Sequence, residues 1–123
     1  MNKEIKEIIN FILKEGNGLY TALERGKLKE IIEEHLKYGT AMIIRSKENN
    51  EIVAVARWNW IGSSTVHILD VIIKKEHRSP RMLKYMLALG LAKNPQCRFV
   101  TYERLQKYPD REGRIFKVEQ FLK

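Results

Sequence analysis

A single cysteine, Cys97, is present in the 123 residues, so no disulfide can close within the chain, and such usage fits a reducing compartment. No apolar run approaches the ~18 residues that a membrane-spanning helix needs. The opening Met1-Asn2-Lys3-Glu4-Ile5-Lys6-Glu7 is charged where a secretory signal would be apolar. A cytoplasmic protein without membrane attachment is the expectation. Histidines at 35, 67 and 77, with one cysteine, show no metal-ligand spacing, so no metal site is expected. A Walker-type phosphate loop is lacking, as are an RNA-recognition signature and a helix-turn-helix pattern. Low-complexity tracts, internal repeats and linkers are lacking too.

What remains is an ordinary globular composition, 44% hydrophobic and 31% charged, at a length that suits one domain over residues 1–123. The net charge of +8 is lopsided. Residues 1–50 carry nine Lys/Arg against eight acids, and residues 51–123 carry fourteen against seven, so +1 and +7 make up the total. A basic C-terminal half suits an anionic partner: a phosphate-bearing cofactor, nucleic acid or an acidic protein. A solvated basic surface without a partner is the plainer alternative.

Periodicity orders the elements. Ile5, Ile8, Ile9, Ile12 and Leu13 fall at helical spacing in residues 3–14, and Gly16-Asn17-Gly18 stops that helix. A short turn around Leu19–Glu24 follows. Leu28, Ile31, Ile32, His35 and Leu36 predict a second amphipathic helix over Lys27–Tyr38, capped by Gly39. The period then shortens to two. Ala41–Arg45 reads as a strand, Lys47-Glu48-Asn49-Asn50 as a hairpin turn, and Ile52 to Trp60 as the return strand, with Ile52, Ala54, Ala56, Trp58 and Trp60 on one face. After Gly62-Ser63-Ser64 a third strand, Thr65–Ile73, is apolar on both faces of its second half apart from Asp70, which places it mid-sheet. Ser79 and Pro80 announce a helix as N-cap and first-turn proline, with Leu83, Met86, Leu87, Gly90 and Leu91 lining one face and Asn94-Pro95 ending it. Two more strands are expected, roughly Cys97–Leu105 and Arg114–Leu122, joined through Tyr108-Pro109-Asp110. The order α-α-β-β-β-α-β-β predicts an α+β sandwich, with a mixed, mostly antiparallel sheet of about five strands.

That order, with the text Val71-Ile72-Ile73-Lys74-Lys75-Glu76-His77-Arg78-Ser79-Pro80-Arg81-Met82-Leu83-Lys84-Tyr85-Met86-Leu87, resembles the GNAT superfamily of acetyl-CoA-dependent N-acetyltransferases over roughly residues 27–105. The family joins its central strand to its cofactor helix through Arg/Gln-x-x-Gly-x-Gly/Ala and a leucine-rich continuation. Arg78 matches the opening position, and Met86-Leu87 match the paired leucines. Arg81 and Leu83 stand where the two small residues would be, so a Cβ intrudes where backbone would approach a pyrophosphate. The strand that usually precedes the first helix and the helix that usually follows the fifth strand have no counterpart in this order. The chain is thus expected to be a shortened GNAT-like domain with a degenerate cofactor motif.

The resemblance implies transfer of an acetyl group from acetyl-CoA to an amine. Val71, Ile73, Arg78, Ser79, Arg81, Met82, Leu83 and Lys84 would then hold the cofactor, the N–H groups of Met82 to Lys84 facing the pyrophosphate. A helix N-terminus favours anions in any case, and residues 74–84 hold five Lys/Arg against one acid. Amine acetylation needs a base for the attacking nitrogen and an acid for the leaving thiolate. His67 falls near the position of a family base and titrates near neutrality as a residue type. Asp70, a carboxylate in an apolar strand, is a second candidate, or else a structural ion-pair partner of Arg57 or Arg104. Glu103 is a third acid-base candidate, and Tyr102 and Tyr108 are the hydroxyls near the family's acid position. Trp58 and Trp60 are core anchors or walls of a cleft. Cys97 has no histidine beside it and reads as a buried thiol, not a nucleophile. The other reading is a non-catalytic GNAT-like module that binds nucleic acid or an acidic partner through the basic half, including Arg98, Arg104, Lys107, Arg111, Arg114 and Lys117. A homodimer is a further expectation.

Overall fold

The computed structural model describes residues 2–16 and 26–102, and the backbone of 114–117. Within these residues the helices are α1 (Lys3–Glu15), α2 (Leu28–Tyr38) and α3 (Pro80–Lys93). The strands are β1 (Ala41–Arg45), β2 (Ile52–Ile61), β3 (Thr65–Ile73), β4 (Phe99–Tyr102) and β5 (Arg114–Lys117). They form an α+β fold with one sheet in the order β1-β2-β3-β4-β5, so β3 is central, as its two apolar faces predict. β1 and β2 are antiparallel, β3 and β4 parallel, and β4 and β5 antiparallel. The parallel pair follows from α3, whose length carries the chain back to the starting end of the sheet.

Two compact units can be distinguished, Met1–Arg57 with Val71–His77, and Trp58–Asp70 with Arg78–Lys123. In the first, Ile8 and Ile12 of α1 and Leu28 and Ile32 of α2 pack with Ile52, Val55 and Ile72 of the strands, all buried. The helical spacing of those four helix residues turns one stripe of each helix inward. Asn2 caps α1 by accepting the Glu4 N–H at 2.8 Å. At the other end Gly16 donates its N–H to the Ile12 carbonyl at 2.8 Å, and a Cβ there would lie 2.8 Å from both the Ile12 oxygen and Ile72 Cδ1. Gly16 is needed for that close approach and not for a positive φ. Gly39 is the opposite case. It ends α2 at φ 68°, in the left-handed region that a side chain disfavours.

Arg45 of β1 reaches Glu7 of α1 through two hydrogen bonds, at 2.8 and 2.9 Å, a forked guanidinium-carboxylate contact. The hydrogen bond from Arg45 holds the Glu7 carboxyl below the usual range, and the same bond pushes the guanidinium up. The β1–β2 register slips between Ile44 and Arg45, where Val53 is the extra residue between Ala54 and Ile52.

The second unit is more thinly filled. Trp58, Val66, Met86, Cys97 and Val100 are its buried hydrophobic residues among those described. Of the α3 face expected to pack, Met86 is buried and Leu87, Gly90 and Leu91 are half-buried. Leu83 departs from the rest of that face: it stands in the first turn of α3 and is 43% exposed. β4 starts at Phe99 instead of Cys97, since the Cys97 N–H closes a turn onto the Asn94 carbonyl and the Arg98 and Phe99 N–H groups then both donate to the Ser64 carbonyl. The expected turn at Leu19–Glu24, the remainder of the strands expected to reach Leu105 and Leu122, and the Tyr108-Pro109-Asp110 connection lie outside the described residues.

Candidate functional site

The best-defined polar geometry in the second unit is on the β3–β4 ladder, where Thr65, Val66, His67 and Ile68 pair with Phe99, Val100, Thr101 and Tyr102. Register sets His67 beside Thr101, and His67 Nδ1 lies 2.6 Å from Thr101 Oγ1. A ring held at one nitrogen by a hydroxyl has a fixed orientation and keeps Nε2 for a second task. When Nδ1–H donates to the hydroxyl, Nε2 carries the lone pair and can accept a proton.

Strand alternation sorts the candidates by face. His67 and Thr101 share one face. Asp70, two residues beyond Ile68, shares the other with Tyr102, the partner of Ile68. His67 and Asp70 therefore do not converge on one reacting atom. Asp70 is buried at 7% and His67 half-buried, so His67 is the more accessible of the two. Glu103 and Tyr108 lie outside the described residues, as does Arg104. Arg57, the other expected partner of Asp70, is buried and places Nη1 3.4 Å from His35 Nε2.

The start of α3 is built as its sequence predicts. Ser79 is extended, and its Oγ accepts the Met82 N–H at 3.1 Å, with Pro80 in the first turn. The Ser79 carbonyl accepts the Leu83 N–H at 3.3 Å. This corrects the expectation that the Met82 and Leu83 N–H groups face a ligand, since the Ser79 cap already occupies them. The Arg81 N–H is the first-turn donor that this cap does not engage. Arg78, Arg81 and Lys84 are exposed around the helix start. Side-chain cations thus stand where small residues would otherwise leave a backbone cradle, and these residues fit a phosphate by charge more than by main-chain donors. Val71 and Ile73 are half-buried at the end of β3, within the first unit, whereas Arg78 to Lys84 belong to the second.

Trp58 is buried at 8%, as a core anchor would be, and its indole N–H has no hydrogen-bond partner among the described residues; Trp60 is half-buried. Cys97 is buried, its thiol donates to the Phe99 carbonyl at 3.3 Å, and burial pushes its pKa up, which suits an inert thiol. Among the described residues no three His, Cys, Asp or Glu side chains gather as metal ligands, and no helix is long and apolar enough to cross a membrane. Sequence reasoning overlooked Thr101. Its signal is tertiary, because it lies 34 positions from His67 and only the parallel register makes them neighbours.

The fold is that of the GNAT superfamily, as comparison with solved structures shows. One match is a protein assigned as a GNAT-family acetyltransferase from Desulfovibrio desulfuricans, with a TM-score of 0.62 and 14% identity, covering 89% of this chain and 73% of that one. A second is a chimera of the Vibrio cholerae spermidine N-acetyltransferase SpeG and hSSAT, with a TM-score of 0.66 and 10% identity over 100% of this chain and 97% of that one. A third is a protein assigned as an acetyltransferase from Pyrococcus horikoshii, with a TM-score of 0.62 and 13% identity over 85% of this chain; the present chain spans only 36% of it. Two other similar structures hold coenzyme A: an aminoglycoside 6'-N-acetyltransferase, 11% identical, and the N-acetylglutamate synthase of Neisseria gonorrhoeae, 13% identical. No family model and no curated protein sequence matches the chain.

Proposed function

We propose that the chain is an N-acetyltransferase that uses acetyl-CoA to acetylate a primary amine. The observation that carries this reading is the GNAT-type crossover itself: a central strand leading through a Ser79-capped helix start ringed by Arg78, Arg81 and Lys84 into a parallel β4. The coenzyme-A-bound relatives of the same fold support the choice of cofactor. Arg78, Arg81 and Lys84, with the Arg81 N–H, would hold the cofactor's phosphates, and the bound cofactor would supply an acetyl group activated as a thioester.

The chain's own residues then have separable tasks. The cations neutralise phosphate charge at the positive end of the α3 dipole. His67, steadied at Nδ1 by Thr101, takes a proton from the attacking amine at Nε2. Asp70 and Tyr102, on the opposite face, are left to structural roles in this reading. The positive field of the C-terminal half draws an anionic cofactor to this end of the chain.

The test is thiol release from acetyl-CoA in the presence of a polyamine, an aminoglycoside and a lysine-containing peptide. Amine-dependent release that falls about 100-fold or more in His67→Ala, with coenzyme A binding retained, is the expected result for a general base. Release indistinguishable from uncatalysed hydrolysis with all three amines would overturn the reading.

A further inference from the structure

We propose that the outward face of α3 binds single-stranded nucleic acid, with Tyr85 stacking on a base and Arg81 and Lys84 taking the neighbouring phosphates. Arg81, Lys84, Tyr85, Ala88 and Ala92 are all exposed and recur at helical spacing, so they form one stripe along the helix. Tyr85 is 52% exposed, so most of an aromatic ring in the middle of the helix is open to solvent. It stands one turn from Arg81 and beside Lys84. Beyond it the stripe continues as Ala88 and Ala92, which leave the surface low enough for a flat base to lie against the ring.

The electrostatics point the same way. Between Glu76 and Glu103 the chain contains no Asp or Glu, although it has 15 acids in 123 residues overall. The same span carries Arg78, Arg81, Lys84, Lys93 and Arg98. Among the described residues Arg81 and Lys84 enter no ion pair. An acidic protein would satisfy the cations equally well, but it gives the exposed tyrosine next to them nothing to stack on. A single strand uses both, because every base has a π-face and every step a phosphate. A duplex uses the phosphates alone.

This inference stands apart from acetyl transfer. Arg81 and Lys84 are shared with the proposed phosphate site, whereas Tyr85 is not, and Tyr85 therefore separates the two. The measurement is fluorescence anisotropy of a labelled oligo(dT) or oligo(U) of about 20 nucleotides, from about 50 to 200 mM salt, against a duplex of equal length and against polyglutamate. Binding of the single strand is expected, weakening with salt at a logarithmic slope of roughly −0.7 per phosphate neutralised, and Arg81→Ala and Lys84→Ala should each flatten that slope by about one such unit. Tyr85→Ala should weaken binding by about 5- to 150-fold, and Tyr85→Phe should retain it. Thermal melting of the variants should match the parent, since all three side chains are exposed. No anisotropy change at the lowest salt, equal binding of polyglutamate, preference for the duplex, or indifference to Tyr85→Ala would each overturn the proposal.

Discussion

Single atoms decide several positions in this chain. At Gly16 an added methyl meets the Ile12 carbonyl oxygen and Ile72 Cδ1, both at 2.8 Å, and the first of these is backbone that cannot swing away. Gly16→Ala should therefore cost about 1–3 kcal/mol, the range for overpacking, read as a lower urea midpoint at unchanged m-value. Gly39→Ala should cost about 1–2 kcal/mol for a different reason, the left-handed φ of 68°. The sequence exposes both glycines as helix ends, since a glycine after an amphipathic stretch reads as a stop or cap, but it hides why Gly16 must stay small: its contact with Ile72 joins positions 56 residues apart and leaves no local mark. His67 divides in the same way: its residue type suggested proton transfer, but its partner Thr101 became visible only through strand register. Leu83 shows the reverse failure. Its spacing placed it on the face of Met86, yet Met86 is buried and Leu83 is 43% exposed.

Elements are held by their ends and by a few cross-links. The Ser79-Pro80 start of α3 was readable because capping chemistry is local, with a hydroxyl that accepts an N–H three residues on. Ser79→Ala should destabilise the protein by about 1 kcal/mol, with Ser79→Asp restoring most of it, as measured by chemical denaturation. The strands Ala41–Arg45 and Thr65–Ile73 were equally plain, since each is a short apolar run next to glycine and polar turn residues. Which strand pairs with which face was not, because pairing joins residues that no period links. The Glu7–Arg45 fork ties α1 to β1, and it makes that tie sensitive to acid. Glu7 has a depressed pKa in the folded chain, so the unfolded chain binds its proton more readily, and the tie stabilises the fold above the usual carboxylate pKa. That contribution disappears as the pH falls through the lowered value. Solvent reaches both side chains, so screening limits it to about 0.2–1 kcal/mol. Glu7→Gln should therefore lower stability at pH 7 by that amount, and the difference from the parent should shrink on acidification below about pH 4.

At the scale of the molecule, the chain joins the GNAT fold to a markedly basic C-terminal half. The fold was legible because its order of elements is unusual: two helices, three strands, a helix and two strands, with a central strand apolar on both faces. The chemistry was less so. In the proposed reading, Arg81 and Leu83 stand where the resemblance implies small residues, so the cofactor's phosphates would be met by charge more than by backbone, and charge is the part that a sequence displays. Cofactor binding should consequently depend more on side-chain cations, and on salt, than binding at a glycine-lined helix start does. The most direct measurement is a titration of coenzyme A followed by calorimetry and thermal melting, on the parent and on Arg78→Ala and Arg81→Ala. Coenzyme A at ten times its Kd should stabilise the parent by about 1.4 kcal/mol and raise Tm by several degrees, and each substitution should weaken that response. Neither heat nor a shift in Tm at millimolar coenzyme A, with the parent fully folded, would contradict it.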